Sequence, residues 1–328
     1  MKQRIPVVVV AGPTASGKTA MAIHLAKSFD GEIINADSMQ VYKELNIGAA
    51  KPTKEEQQGI PHHMMSIVPV STEYTVSQYA QQATKAIEEI YNRGKLPIIC
   101  GGTGLYIRAI LYHMSFSNAV SDRNIRQELL EYVNKNGKYA LHQMLHSIDE
   151  KTAARLHPND VKRVIRALEV FQITGKPFSQ QGNNKMPQKK DIYHTLLLGL
   201  QWPREKLMER IKKRIDIMVD EGLIDEAKYI YNLNLSTSLP SMQGLGYKQL
   251  FAYFDGSCSL EEALEQIFIQ TRQFAKRQMT WFRHQEPEIC WIKADEPEAI
   301  STAEALVAEF IFDCVSKNFF NAKGERLK

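Results

Sequence analysis

The sequence has no apolar run near the roughly 18 residues that a membrane span requires, so no spanning segment is predicted. It holds few cysteines, and Cys100, Cys258, Cys290 and Cys314 fall without any C-x-x-C spacing. That disfavours zinc sites and disulfide frameworks and predicts reduced, mostly buried thiols. Internal repeats and long low-complexity tracts are absent. Excess charge is slight: the formal net charge is +4, too small by itself to mark a nucleic-acid-binding protein. Apolar residues are plentiful, at 44% of 328, enough for one large α/β domain and a smaller companion.

The most specific feature is Gly12-Pro13-Thr14-Ala15-Ser16-Gly17-Lys18-Thr19, set directly behind the apolar run Val7-Val8-Val9-Val10-Ala11. The pattern G-x-x-x-x-G-K-[ST] uses glycines to turn backbone N–H groups toward phosphate oxygens. Its lysine supplies a point charge and its hydroxyl a magnesium ligand. A strand before it and a helix after it are the setting such a loop needs, so the chain is expected to grip a diphosphate or triphosphate. The N-terminus passes at once into that strand, and a cleaved leader would remove the motif. The chain is therefore expected in the cytoplasm, away from membranes, and as a monomer.

Strand and helix alternate through the first hundred residues. Strands are predicted at Ile5 to Ala11, Glu32 to Ala36 and Leu96 to Cys100, with helices from about Thr19 to Phe29 and from Val76 to Asn92. Another helix is expected behind Gly101-Gly102-Thr103-Gly104. From Ser115 to Asp191 the alternation stops, with helical patterns at Asp122 to Lys135, Lys138 to His146 and Asp160 to Thr174 and a loose segment from Gln180 to Lys190. A strand at Tyr193 to Leu200 resumes the sheet. Helices follow at Pro203 to Val219, Leu223 to Tyr231 and from Ser259 to about His284, then a short strand at Glu288 to Ile292 and a last helix. The expected organisation is an α/β kinase-like core on a parallel sheet, interrupted by a helical insert and completed by C-terminal helices. Its divisions are 1–114, 115–191, 192–316 and a tail at 317–328.

Ligands bind beyond the carboxyl ends of parallel strands, which puts Asp37 beside the phosphate loop. There it can bind magnesium through water, take a proton from an acceptor group, or cap the backbone of Ser38-Met39-Gln40. A triphosphate hydrolase usually supplies a second acidic residue at the end of an apolar strand. Here Leu96 to Cys100 runs into glycines instead, and Asp295 is the nearest imitation. Basic residues recur at helical spacing as Lys162, Arg163 and Arg166, as Lys206, Arg210 and Lys213 or Arg214, and as Arg272, Lys276 and Arg283. One such stripe is usually a solvated face; three favour a polyanionic partner.

The phosphate loop, Asp37-Ser38-Met39-Gln40-Val41-Tyr42, Gly48-Ala49-Ala50-Lys51-Pro52-Thr53, Gly101-Gly102-Thr103-Gly104-Leu105-Tyr106 and Arg163-Val164-Ile165-Arg166-Ala167-Leu168-Glu169-Val170 together resemble the bacterial tRNA dimethylallyltransferase family. Gly244-Leu245-Gly246-Tyr247-Lys248 and Thr271-Arg272-Gln273-Phe274-Ala275-Lys276-Arg277-Gln278 extend the likeness over nearly the whole chain. The resemblance implies transfer of a dimethylallyl group from its diphosphate to N6 of adenosine 37, next to the anticodon of tRNA. Asp37 would be the base, while the loop from Gly12 to Thr19 and Mg2+ on Thr19 would stabilise the departing diphosphate. Thr103 would contact donor or target adenosine. Asp37, Ser38, Met39, Gln40, Thr103, Arg126, Lys162, Arg163, Val164, Ile165 and Arg166 would meet the tRNA anticodon stem-loop, the target base being flipped into the cleft. Arg214 is an additional candidate for a diphosphate clamp.

The family commonly has Gln-Arg where this chain has Lys162-Arg163, and a proline-rich stretch where it has Ser115 to Asp122, which makes Arg123 a rival to Arg126. Competing expectations are an ATP-dependent small-molecule or nucleotide kinase, prenylation of free adenine nucleotides, and a nonenzymatic RNA-binding module.

Overall fold

A computed structural model describes residues 4–114, 122–180 and 188–316. Six parallel strands, β1 (Ile5–Ala11), β2 (Gly31–Asn35), β3 (His62–His63), β4 (Leu96–Gly101), β5 (Tyr193–Gln201) and β6 (Cys290–Lys293), form one sheet in the order β3-β2-β4-β1-β5-β6. A strand covered on both faces has no polar side to show, and Val7, Val8, Val9 and Val10 are all completely buried in the middle of the sheet. Register sets Ala11 beside Gly101 and Asn35 beside Cys100. The segments after β1, β4 and β2 therefore leave the sheet side by side, and the phosphate loop, the Gly101–Thr103 turn and Asp37 become neighbours.

The chain divides into two compact units, one running to Leu111 and resuming at Lys190, the other Tyr112–Lys189; the expected insert was placed at 115–191. The first unit carries α1 (Lys18–Ser28), α2 (Lys54–Gln57), α3 (Val76–Asn92) and α4 (Gly104–Leu111). The second holds α5 (Arg123–Ile148), α6 (Glu150–Ala153) and α7 (Val161–Thr174). The first unit then continues with α8 (Arg204–Asp220), α9 (Leu223–Asn232), α10 (Tyr247–Phe254), α11 (Leu260–Gln285) and α12 (Ala299–Ser316).

Helix α3 begins at a reciprocal capping box, in which Thr75 accepts from the Gln78 amide and the Gln78 side chain accepts from the Thr75 amide. Its buried stripe, Tyr79, Ala83, Ile87 and Ile90, faces the sheet side of the unit. The Tyr79 ring stacks on Tyr106 of α4 at 3.8 Å, and its hydroxyl donates to the Asn35 carbonyl at 2.8 Å. These contacts fix the end of β2, from which Asp37 leaves.

In the second unit the two helices expected at 122–135 and 138–146 are both present, as the two arms of α5 on either side of Gly137, whose φ of 82° and ψ of 164° are not helical. Its core contains Leu129, Leu141, Leu145, Val164, Ile165 and Leu168. Buried among these elements, the Glu169 carboxylate receives Arg126 Nε at 2.8 Å, Arg166 Nη1 at 2.7 Å and the Asp122 amide at 2.8 Å. Paired in this way, a buried carboxylate is tolerable; unpaired it would cost about 3–5 kcal/mol. The expectations for Ser115 to Ser121, the Arg123 side chain, residues 181–187 of the loose segment and the 317–328 tail lie outside the described residues.

Candidate active site

The phosphate loop bends because Ala15 and Gly17 both take left-handed backbone angles, φ 62° and φ 86°. Alternation of right- and left-handed residues turns successive N–H groups into an anion-binding hollow. Helix α1 starts at Lys18 without a side-chain cap, so its first N–H groups have no acceptor from their own helix and face an anion favourably. The loop's carbonyls are held from behind. Trp202 Nε1 donates to Ser16 O at 2.9 Å, Arg210 Nε to Ala15 O at 2.8 Å, and Lys18 Nζ to Pro13 O at 3.3 Å. A peptide plane whose oxygen is tied on one side presents its N–H on the other. The Arg210 guanidinium also lies 4.2 Å over the Trp202 ring, a cation–π contact that stiffens this backing.

The hollow opens into a cleft of about 820 Å³ lined by Thr14 to Thr19, Asp37, Gln40, Arg210 and Arg214. Burial depresses the Lys18 ammonium pKa; Asp37 opposes this and Arg214 adds to it, so the three side chains feel one another's charge. Burial likewise lowers Arg214, with Asp37 opposing. A diphosphate would relieve the repulsion between the two cations, which gives Arg214 the right charge and place for a clamp. Cys100 lies beside Lys18, but burial pushes its thiol up to about 11, so it is a poor nucleophile near neutral pH. The Ser16 hydroxyl is buried without a protein partner among the described residues.

Asp37 does cap the following turn: its Oδ1 accepts from the Met39 amide at 2.8 Å and the Gln40 amide at 3.4 Å. Capping and chemistry are compatible, since Oδ2 has no protein partner among the described residues. Thr103 braces the same turn. Its N–H donates to Ala36 O at 3.1 Å and its Oγ1 accepts from the Ser38 amide at 3.1 Å. At Gly101 an added Cβ would sit 2.1 Å from Ala36 O, so the glycine permits close approach of β4 to the base of the Asp37 turn.

Asp295 is not a second site carboxylate, because Lys206 Nζ holds it at 2.9 Å. The strands flanking β1 end in Gly101 and Gln201. Thr19 and Asp37 face the same cleft, and among the described residues no cluster of three or more His, Cys, Asp or Glu could hold a metal. One hydroxyl and one carboxylate beside a phosphate hollow fit Mg2+, which keeps several waters and takes much of its coordination from substrate phosphates.

The structure separates the basic residues expected to meet RNA. Lys162 and Arg163 are exposed on α7, Arg163 pairing with Asp160 at 3.1 Å. Arg126 and Arg166 point to Glu169, and Val164 and Ile165 are buried in the helical unit. The side chains of those last two pack the helix that displays Lys162.

Gln278 was not foreseen as a site residue. From α11 its Oε1 accepts from the Thr14 amide at 2.9 Å while its Nε2 donates to Gly102 O at 3.0 Å, joining the phosphate loop to the β4–α4 turn. Lys51 was also missed. Its ammonium shares three N–H donors among Tyr42 O, Lys43 O, Asn46 Oδ1 and Ser66 Oγ, pinning a loop at the cleft's edge.

Burial lowers Lys51 from 10.5 to about 8, although Glu226 and Glu44 favour its charge. The folded chain then binds fewer protons than the unfolded chain between those values, so this group makes stability rise with pH across that window. Urea unfolding from pH 8 to 10.5 is expected to show the rise in the wild type and a flatter profile in Lys51→Met.

A loop shaped like a phosphate hollow, a carboxylate just beyond a strand end and a parallel sheet with helices make an α/β core of the nucleotide-kinase-like class. Residues 40–285 match the IPP transferase family. The tRNA dimethylallyltransferase of Bacillus pumilus is 44% identical over 296 residues, covering 90% of this chain and 92% of that protein. That of Acetivibrio thermocellus is 46% identical over 292 residues, covering 88% and 92%. Among solved structures, the full-length tRNA isopentenylpyrophosphate transferase of Bacillus halodurans superposes with a TM-score of 0.70 at 39% identity, covering 96% of this chain and 99% of that one. A eukaryotic dimethylallyltransferase acting on tRNA gives 0.79 at 30% identity, covering 98% and 85%. The chain belongs to the IPP transferase family and is a transferase.

Proposed function

We propose that the protein transfers a dimethylallyl group from dimethylallyl diphosphate to N6 of adenosine 37, next to the anticodon of a tRNA. The observation that carries this reading is Asp37 in one cleft with a phosphate hollow whose flanking strands end in Gly101 and Gln201, not in the acidic residue of a hydrolase. The N6 lone pair attacks the allylic C1, the C1–O bond breaks, the N6 proton passes to Asp37 Oδ2, and diphosphate departs. Negative charge grows on the leaving oxygens, where the loop N–H groups, Lys18 and Arg214 would stabilise it. Thr103 and the Met39–Gln40 turn hold the carboxylate at the angle the amine needs. Mg2+, held through Thr19 and water to Asp37, would supply further charge stabilisation to the diphosphate.

The decisive experiment incubates the protein and magnesium with an anticodon stem-loop carrying an adenosine run, with dimethylallyl diphosphate in one arm and ATP in the other. Mass spectrometry of the products is expected to show a dimethylallyl adduct in the first arm alone. ADP formation in the second, with no adduct in the first, would instead mark a kinase. The exposed Lys162 suits a phosphate contact. Lys162→Ala is expected to weaken stem-loop affinity and flatten the log–log salt dependence by about one unit, read by fluorescence anisotropy at several salt concentrations.

A further inference from the structure

The steps above leave unused a carboxylate that is heavily engaged. Glu226, on α9, accepts from the amides of Asn46 at 2.9 Å, Ile47 at 3.0 Å and Gly48 at 3.0 Å, and from the Tyr247 hydroxyl at 2.7 Å. Three consecutive N–H groups converging on one point form an anion hollow; here the chain fills that hollow with its own side chain. Tyr247, the first residue of α10, is fully buried. Its ring packs so closely on Gly48 that a Cβ there would lie 2.6 Å from it.

The loop gripped in this way leads straight to the reacting groups. Its next two carbonyls, Ala49 O and Ala50 O, each accept from Gln40 Nε2 at 3.0 Å, and Ala50 O also receives Arg214 Nη2 at 3.5 Å. The Gln40 amide in turn donates to Asp37 Oδ1. Ala49 and Ala50 themselves line the cleft. A displacement of residues 46–50 would therefore move both the side chain that steadies the Asp37 turn and the guanidinium beside the phosphate hollow.

We propose that Glu226, braced by Tyr247, is a positioning residue for the transfer reaction. It locks residues 46–50 so that Gln40 and Arg214 hold the proton-accepting carboxylate and the diphosphate in mutual alignment. The inference rests on the reading of Asp37 as the base. Neither Glu226 nor Tyr247 need touch substrate, so their loss acts on alignment more than on binding. A misplacement on the order of 1 Å costs about 100-fold in rate.

Glu226→Gln keeps the shape of the side chain but replaces one acceptor oxygen with an NH2 group facing N–H donors. It is expected to lower kcat by about 10- to 100-fold, with KM for dimethylallyl diphosphate changed less than ~3-fold and the circular dichroism spectrum unchanged. Tyr247→Phe keeps the ring against Gly48, removes only the hydroxyl, and is expected to lower kcat about 5-fold. Wild type and Asp37→Asn are measured in parallel. A wild type that forms no product overturns the proposed function, and an active Asp37→Asn overturns the base. If both controls behave as expected, a folded Glu226→Gln with wild-type kcat overturns the positioning role. Should Glu226→Gln fail to fold, wild-type kcat in Tyr247→Phe overturns it instead.

Discussion

Asp37→Asn is expected to lower turnover by about 100- to 10,000-fold, the range that a positioned general base contributes, while stem-loop affinity stays nearly unchanged. Asparagine is the informative replacement because Asp37 has two jobs. Its Oδ1 holds the Met39 and Gln40 amides, and an amide oxygen can still accept from them. What asparagine cannot do is take the N6 proton. Alanine would remove both functions and confuse a lost base with a loosened turn. Single-turnover rates at saturating stem-loop, with anisotropy for affinity, separate the two. Wild-type turnover in Asp37→Asn would sink the base assignment, and an equal loss of RNA affinity would reassign the residue to scaffolding.

Lys18→Met should lower kcat by about 100- to 1,000-fold, the usual consequence of removing one preorganised group from the site of developing charge. Methionine fills much of the same volume, so packing beneath the loop is largely kept. The ammonium is held by Pro13 O and coupled to Asp37 and Arg214, and methionine supplies neither donor nor charge. Lys18→Arg should restore little, since a planar fork does not reproduce a compact point charge. Calorimetry with inorganic diphosphate provides an independent check. Binding should be strongly weakened in Lys18→Met and retained in Asp37→Asn. The reverse pattern would mean that the loop does not seat the leaving group.

Much of the core was legible because its signals are local. The valine run of β1, the phosphate-loop octapeptide and the apolar stripe of α3 each lie within one short stretch, and the α3 bounds at Val76 and Asn92 coincide with the expected ones. The two-residue strand β3 and the helix α10 were not foreseen. The first is too short to show a period, and the second depends on Gly246 and on burial of Tyr247 against a distant loop.

Site residues divide in the same way. Lys18, Thr19 and Asp37 could be placed from strand ends, since register alone makes them neighbours. Gln278 lies 264 residues from its partner Thr14, and nothing in its own helix distinguishes a glutamine that bridges two loops from one that faces solvent. Arg166 and Glu169 did carry a hint, a charge pair three residues apart with the acid on the apolar stripe. A basic stripe read without its acids overstates the surface free to meet RNA.

The Gln278 bridge also orders events in time. The phosphate motif leaves the ribosome long before Gln278, and β1 has no β5 beside it until the helical unit has been made. The Thr14 amide then waits for a glutamine 264 residues downstream. At elongation speeds of about 5–20 residues per second that interval is roughly 10–50 s. The nascent chain therefore carries the signature of a phosphate site well before it can possess one, and a fragment truncated ahead of α11 should display the motif while gripping nothing.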